Sequence, residues 1–159
     1  MALTDTDRTH LARCVELAAA ALDAGDEPFG SLLVGADGSV LAEDRNRVGA
    51  GEHTRHPEIE LARWAAASLP AADRATTTMY TSGEHCPMCA AAHGWVGLGR
   101  IVVASTAAQL GQWLAELGVA PGPVAPLRVV DVVPGQVVDG PDPELAEQVR
   151  ALHVRLHTR

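Results

Sequence analysis

Two short segments constrain the fold of this 159-residue chain more than any other feature, because each has a proline directly after a residue that can bind a metal. The segments are His56-Pro57-Glu58 and Cys86-Pro87-Met88-Cys89. Proline is favoured at the first position of a helix, where the N–H that it lacks would have no intrahelical partner. The sequence therefore predicts that two helices begin at Pro57 and Pro87, with His56 and Cys86 as their N-cap residues.

The residue types at these predicted helix starts are those of a zinc site with three protein ligands. One imidazole, from His56, and two thiolates, from Cys86 and Cys89, leave one position of a tetrahedral ion open for water. The two cysteines lie three residues apart on one helical turn, so both sulfur atoms can reach a single ion. Glu58 is a carboxylate outside this ligand set and is suited to act as a general acid and base. The pattern predicts a hydrolytic zinc site.

A purely structural zinc is the alternative interpretation of the same residues. Such a site binds its ion with four protein ligands, and the candidates for the fourth ligand are His53, His85 and His93. It gives no reason for a carboxylate at position 58. A chain with a zinc of this kind would be a non-catalytic interaction domain.

The composition is typical of a globular protein, with 47% hydrophobic and 20% charged residues, and the length predicts a single domain, 1–159. The net charge is −8 and the chain contains no lysine, so binding to a phosphate backbone is not expected. No apolar stretch reaches the roughly 20 residues of a membrane span. Three cysteines without a disulfide pattern or a visible signal peptide predict a cytoplasmic protein.

Hydrophobic periodicity and turn residues predict alternating helices and strands after an initial helix and hairpin. The predicted helices are 4–24, 57–69, 87–96, 107–117 and 143–157, and the predicted strands are 31–34, 40–42, 76–81, 101–105 and 127–133. This order indicates an α/β fold, a three-layer α/β/α sandwich with a mixed five-stranded sheet. Both proline-marked segments then lie at the carboxyl edge of the sheet, where open α/β sheets bind ligands.

The pairing of His-x-Glu with Cys-x-x-Cys, preceded by Pro28-Phe29-Gly30 and Asn46, resembles the cytidine deaminase-like superfamily. Within it, these residues resemble the guanine deaminase and tRNA adenosine deaminase branch, over roughly residues 5–120. The resemblance implies a zinc-dependent aminohydrolase that releases an exocyclic amino group as ammonia. It assigns zinc binding to His56, Cys86 and Cys89, proton transfer to Glu58, a hydrogen bond with the base to Asn46, and a pocket wall to Phe29.

Several positions depart from the pattern of the family or extend it. Pro57 stands where alanine is usual, and His85 replaces the proline that usually precedes the first cysteine. Guanine deaminases also use a later acidic residue to bind the amino group of the purine, and Glu116 is the nearest candidate here. The expected substrate contacts are therefore Phe29, Asn46, His53, His85 and Glu116.

The favoured substrate is a small amino-substituted heteroaromatic base or its nucleoside, with a guanine-like purine first. The alternatives are another free base such as cytosine or an amino-triazine, a tRNA adenosine, and the non-catalytic zinc domain. A nucleic-acid partner is disfavoured by the acidic charge. The resemblance also implies that two copies of the chain form a homodimer.

Overall fold

The computed structural model describes residues 1–159 as one five-stranded sheet covered by helices. The helices are α1 (Asp5–Asp23), α2 (Pro57–Ser68), α3 (Ala71–Arg74), α4 (Pro87–Val96), α5 (Ala107–Glu116), α6 (Val129–Val132) and α7 (Pro143–His157), with a 3₁₀ turn at Val48–Ala50. The strands are β1 (Gly30–Val34), β2 (Val40–Arg45), β3 (Thr78–Gly83), β4 (Arg100–Ser105) and β5 (Val138–Asp139). No helix is both long and apolar enough to cross a membrane.

The sheet has the order β2-β1-β3-β4-β5 and is mixed. Strand β1 runs antiparallel to both β2 and β3, whereas β3, β4 and β5 are parallel. Because successive side chains on a strand point to opposite faces, the sheet has two apolar faces. One face packs against α1, α5 and α7, and the other packs against α2 and α4. The predicted three-layer α/β/α sandwich is confirmed.

The two proline-marked helix starts are confirmed. Helix α2 has Pro57 in its first turn and His56 as its N-cap, and α4 has Pro87 in its first turn and Cys86 as its N-cap. Neither N-cap side chain accepts a hydrogen bond from its own helix. The donor atoms of both side chains are therefore available for other contacts at the start of the helix.

The predicted strand at 127–133 is wrong. Residues Val129–Val132 form helix α6 instead, and β5 lies further along the chain beside β4. The carboxylate of Asp131 accepts the backbone N–H of Arg128, and the carboxylate of Glu84 accepts the backbone N–H of Val129 at 3.0 Å. These acceptors stabilise a helical turn that the β-branched sequence does not reveal.

At Gly30, helix α1 lies in close contact with the sheet. A Cβ atom at this position would overlap the side chain of Leu17 and the carbonyl oxygen of Cys14, both on α1. Only glycine permits this approach, because a side chain would push the helix away from β1. The close packing fixes Phe29, the preceding residue, at the end of β1 that borders the pocket described below.

Candidate metal centre and its pocket

The N-cap residues of α2 and α4 meet at one point. The Nδ1 atom of His56 lies 3.5 Å from Sγ of Cys86 and 3.7 Å from Sγ of Cys89. All three atoms lie within 4.8 Å of one another. In a tetrahedral zinc site with bonds of about 2.3 Å to sulfur and about 2.0–2.1 Å to nitrogen, the nitrogen–sulfur edge is about 3.6 Å. The three donor atoms therefore fit a zinc ion.

The electrostatics of this cluster favour thiolate at Cys86, whereas the hydrogen bond with Cys86 and burial raise the pKa of Cys89. The positive ends of α2 and α4 both point at it, which stabilises negative charge on sulfur. A hydrogen bond from Cys89, together with the His56 imidazole, lowers the pKa of Cys86 to about 4. The bond with Cys86 in turn raises the pKa of His56. Because a zinc ligand must be deprotonated, Cys86 is ready to bind metal at neutral pH.

Glu58 lies in the first turn of α2, buried beside the metal ligands with only 5% of its surface exposed. Its Oε1 atom accepts hydrogen bonds from the hydroxyls of Ser31 and Thr81, each at 2.9 Å. Burial raises the pKa of Glu58 above its ordinary value. A raised pKa makes a carboxylate a stronger proton acceptor, as a general base must be.

Glu58 and two of the ligands line a small cavity of about 70 Å³. The lining residues are Phe29, His56, Glu58, Glu84, Cys86 and Leu110. A neighbouring cavity of about 200 Å³ shares Glu84, Cys86 and Leu110 with it and continues between α5 and residues 124–127. The second cavity is lined mainly by apolar side chains, so the combined space has a polar, metal-binding end and an apolar end.

Asn46 is fully buried next to this pocket, and its amide orientation is determined by its neighbours. Its Oδ1 atom accepts the backbone N–H groups of Glu27, at 3.3 Å, and Val48, at 3.0 Å. Its Nδ2 atom has no partner in the protein. The backbone N–H of Asn46 donates to the carbonyl of Phe29, which lines the pocket. A buried donor without a partner is costly, so Nδ2 is available to a ligand.

His85 is buried rather than solvated. Its ring meets that of His93 edge-on, with centroids 5.3 Å apart, and neither of its ring nitrogens has a partner. Burial lowers the pKa of His85 well below its ordinary value, which keeps the ring neutral. His93 donates from Nε2 to the carbonyl of Gly99 at 2.8 Å and so belongs to the packing of α4. His85 itself lines the larger cavity, close to the metal ligands.

Two of the expected substrate contacts lie elsewhere. His53 is exposed in the turn before α2 and lines neither cavity. Glu116 is exposed in the last turn of α5, where it accepts hydrogen bonds from Gln112 and Arg150. The structure does not bring either residue to the pocket of this chain. Glu116 is absent from both cavities because α5 lines them with Leu110 and Leu114, and a side chain two residues after Leu114 lies on a different face of the helix.

Four residues that surround the site are not predicted from the sequence, namely Ser31, Thr81, Glu84 and Leu110. Glu84 accepts the backbone N–H of Ala107 at 2.9 Å and that of Val129 at 3.0 Å, so it joins the first turns of α5 and α6 to the pocket. Its position two residues before Cys86 could have indicated that Glu84 lies near the site. Ser31 and Thr81 become visible only in the register of β1 and β3.

The chain resembles deaminases of known sequence and structure. It is 31% identical over 100 residues to the Schizosaccharomyces pombe protein named Probable cytosine deaminase, covering 63% of this chain and 60% of the relative. It is 39% identical over 89 residues to the guanine deaminase of Bacillus subtilis, covering 55% of this chain and 56% of the relative. The match thus spans less than two thirds of either relative.

The fold is that of a solved guanine deaminase from Nitrosomonas europaea, with a TM-score of 0.72 at 22% identity, covering 100% of this chain and 88% of that one. The family model for the cytidine and deoxycytidylate deaminase zinc-binding region matches residues 4–105. This range includes both helix starts, all three metal ligands and Glu58. The chain therefore belongs to the family of the cytidine and deoxycytidylate deaminase zinc-binding region, and its cluster of three donor residues forms a possible site for the zinc ion of this family.

Proposed function

We propose that this chain is a zinc-dependent aminohydrolase that removes an exocyclic amino group from a guanine-like purine base. One observation carries the proposal, namely that the buried Glu58, which is outside the three-donor cluster, lines the same cavity as two members of that cluster, His56 and Cys86. Three protein ligands leave a coordination position for water, as catalytic zinc sites require. The 39% identity to a guanine deaminase favours guanine, and the 31% identity to a probable cytosine deaminase makes cytosine the alternative.

The proposed reaction replaces the amino group on a ring carbon with an oxygen atom from water and releases ammonia. Zinc bound by His56, Cys86 and Cys89 would lower the pKa of a water molecule from about 15.7 to about 7. Glu58 takes a proton from that water and delivers it to the ring nitrogen beside the attacked carbon. A second proton passes through Glu58 from the new hydroxyl group to the amine, which then leaves as ammonia. The raised pKa of Glu58 favours the uptake of a proton by its carboxylate.

The remaining pocket residues are proposed to orient the base. Asn46 donates from its unpartnered Nδ2 atom to an oxygen or nitrogen acceptor on the base. Phe29 forms a wall against the ring, and the neutral His85 borders the neighbouring cavity. His53 and Glu116 lie outside the pocket and are not part of the proposed site.

An ammonia-release screen with zinc-loaded protein tests the proposal. The panel contains guanine, guanosine, adenine, cytosine, cytidine, an amino-triazine and a tRNA. We expect guanine to be the best substrate, with no release from the tRNA because the chain carries a net charge of −8. If zinc-loaded protein releases ammonia from none of the compounds, the proposal is wrong, and a non-catalytic zinc domain remains.

We also propose that two copies of the chain form a homodimer in the cytoplasm. Trp95, on α4, is 91% exposed, and Trp64 is partly exposed on α2, the neighbouring helix of the same layer. Exposed aromatic residues of this kind are enriched at protein interfaces. Cysteine ligands that must stay reduced favour a reducing compartment. Light scattering should give twice the chain mass, and Trp95→Ala should shift the protein toward the monomer.

A further inference from the structure

We propose that Ser31 and Thr81 are positioning residues that hold Glu58 by one carboxylate oxygen and so leave the other oxygen free for proton transfer. This inference rests on the proposed function, because it assigns a task to two groups behind the proposed general acid and base. Both side chains are completely buried, and neither lines the cavity. They act only through Glu58.

The register of the sheet brings the two hydroxyl groups together. Ser31 on β1 and Thr81 on β3 are directly opposite each other, and so are Leu33 and Met79, two residues further along the same face. Leu33 and Met79 belong to the apolar cluster that packs against α2. This face therefore changes from apolar to polar beneath the first turn of α2, where Glu58 lies. The polar pair occurs at the one place where α2 presents a carboxylate to the sheet.

The hydrogen bonds distinguish the two oxygens of Glu58. Oε1 accepts from both Ser31 and Thr81 at 2.9 Å, whereas Oε2 accepts no hydrogen bond from a protein side chain. Glu58 nevertheless lines the cavity beside His56 and Cys86. Two donors on a single oxygen fix the rotation of the carboxylate about its terminal bond. A general base must be held in this way, because small errors in position are costly in rate.

The two hydroxyls do not need Glu58 in order to be satisfied. Ser31 Oγ lies 2.9 Å from Thr81 Oγ1, and Thr81 Oγ1 lies 2.9 Å from the carbonyl oxygen of Gly83. With Glu58 absent, Ser31 can donate to Thr81 and Thr81 can donate to Gly83, which leaves neither hydrogen without an acceptor. The hydrogen bonds to Glu58 are therefore not needed to satisfy the two hydroxyl groups, and their effect is to fix the position of the carboxylate.

The test compares Ser31→Ala and Thr81→Val with Thr81→Ser, which retains the hydroxyl group. The matched control is Ser105→Ala, because Ser105 is a buried serine of the same sheet that donates to the carbonyl of Ser82 and not to Glu58. We expect Ser31→Ala and Thr81→Val to lower kcat by about 10- to 100-fold while KM changes less than about 3-fold. Zinc content should stay close to wild type, and Tm should fall no further than in Ser105→Ala, which also loses one buried hydrogen bond. Thr81→Ser and Ser105→Ala should retain kcat.

A readout without turnover separates this inference from the proposed function. In crystal structures of the zinc-loaded proteins, Glu58 should adopt one conformer in wild type and a rotated or divided one in the Ser31→Ala, Thr81→Val double variant. An unchanged Glu58 in the double variant would overturn the inference, whether or not any base is deaminated. So would an equal loss of kcat in Ser105→Ala, or a loss of zinc that accompanies the loss of kcat. Failure of the wild-type protein in the ammonia screen would overturn the proposed function alone.

Discussion

The Nδ1 atom of His56 lies 3.5 Å from the Sγ atom of Cys86, although 30 positions of the chain separate the two residues. The distance is that of an edge of a tetrahedral zinc site. His56 caps α2 and Cys86 caps α4, so an ion at this point is bound to the starts of two helices at once. Zinc should therefore stabilise the fold as well as take part in the chemistry.

Removal of zinc is expected to lower the Tm of the protein. A ligand that binds only the folded state stabilises it by about 4 kcal/mol at 1,000 times its Kd, and chelation removes this contribution. Cys86→Ser should lose both the metal and the response of Tm to chelator. Cys14→Ser is the matched control, because Cys14 is buried in α1 and outside the cluster. Metal analysis and thermal unfolding with and without chelator measure both effects, and an unchanged wild-type Tm would contradict the zinc assignment.

Glu58→Gln should separate metal binding from catalysis. The amide retains the size of the side chain and can still accept from Ser31 and Thr81, but it cannot take up a proton. We expect zinc content to remain at one ion per chain while kcat falls by about 10²- to 10⁴-fold. Retention of wild-type turnover by this variant would mean that another group moves the protons.

Asn46→Asp should weaken binding of the substrate base while it retains the hydrogen bonds that hold residue 46 to the backbone of Glu27 and Val48. A carboxylate at this position can still accept the backbone N–H groups of Glu27 and Val48, but it has no counterpart of the Nδ2 donor. Loss of one hydrogen bond to the substrate should reduce kcat/KM by about 10- to 100-fold. Asn46→Ala should in addition lower Tm, because it leaves both backbone groups unpaired. Equal kcat/KM in wild type and Asn46→Asp would exclude Asn46 as a contact of the base.

His153 should make the protein sensitive to acid. Its buried ring lies between Phe29 and Trp113, and burial lowers its pKa from 6.5 to about 4. Above pH 6.5 the residue is neutral in both the folded and the unfolded state and adds no pH dependence. Between pH 6.5 and about 4 the unfolded state binds a proton that the folded state does not, so the free energy of unfolding falls by about 3 kcal/mol.

His153→Leu should remove this part of the acid sensitivity. The free energy of unfolding, measured in urea at several pH values, should decrease less steeply in the variant than in wild type below pH 6.5. The difference between the two proteins isolates His153 from the other groups that titrate in this range. Parallel curves would show that the buried ring does not remain neutral in the folded state.

The sequence was informative wherever one residue type has a strong local preference. Proline after a candidate ligand predicted the starts of α2 and α4, and the spacing of the candidate ligands predicted that their donor atoms lie close together. Contacts between distant residues could not be predicted in this way. The apolar sequence of residues 127–133 predicts a strand, but the carboxylate of Glu84, which is distant in the chain, accepts the first N–H of the helix that forms at Val129–Val132.

The expected substrate contacts also divide into residues that local sequence patterns place correctly and residues that they do not. Asn46 and Phe29 lie beside or in the pocket, since the strands β1 and β2 deliver them there. Glu116 was selected by its distance along the chain, which does not give the direction in which a helix presents a side chain. The roles of Ser31 and Thr81 depend on strand register, which no local pattern in either segment indicates.

Glu84 lies between two parts of the chain, one that carries the proposed chemistry and one that forms the apolar cavity. Every residue that binds zinc or moves a proton in the proposed reaction precedes position 106, inside the range of the family model. The apolar cavity beside that chemistry is built largely from α5 and residues 124–127, which lie outside this range. Glu84 connects the two parts, since it receives the first N–H of both α5 and α6. Exchange of the segment after residue 105 between relatives should therefore change the part of the substrate preference that depends on the apolar cavity, while the reaction and the contacts of Phe29 and Asn46 with the base are retained.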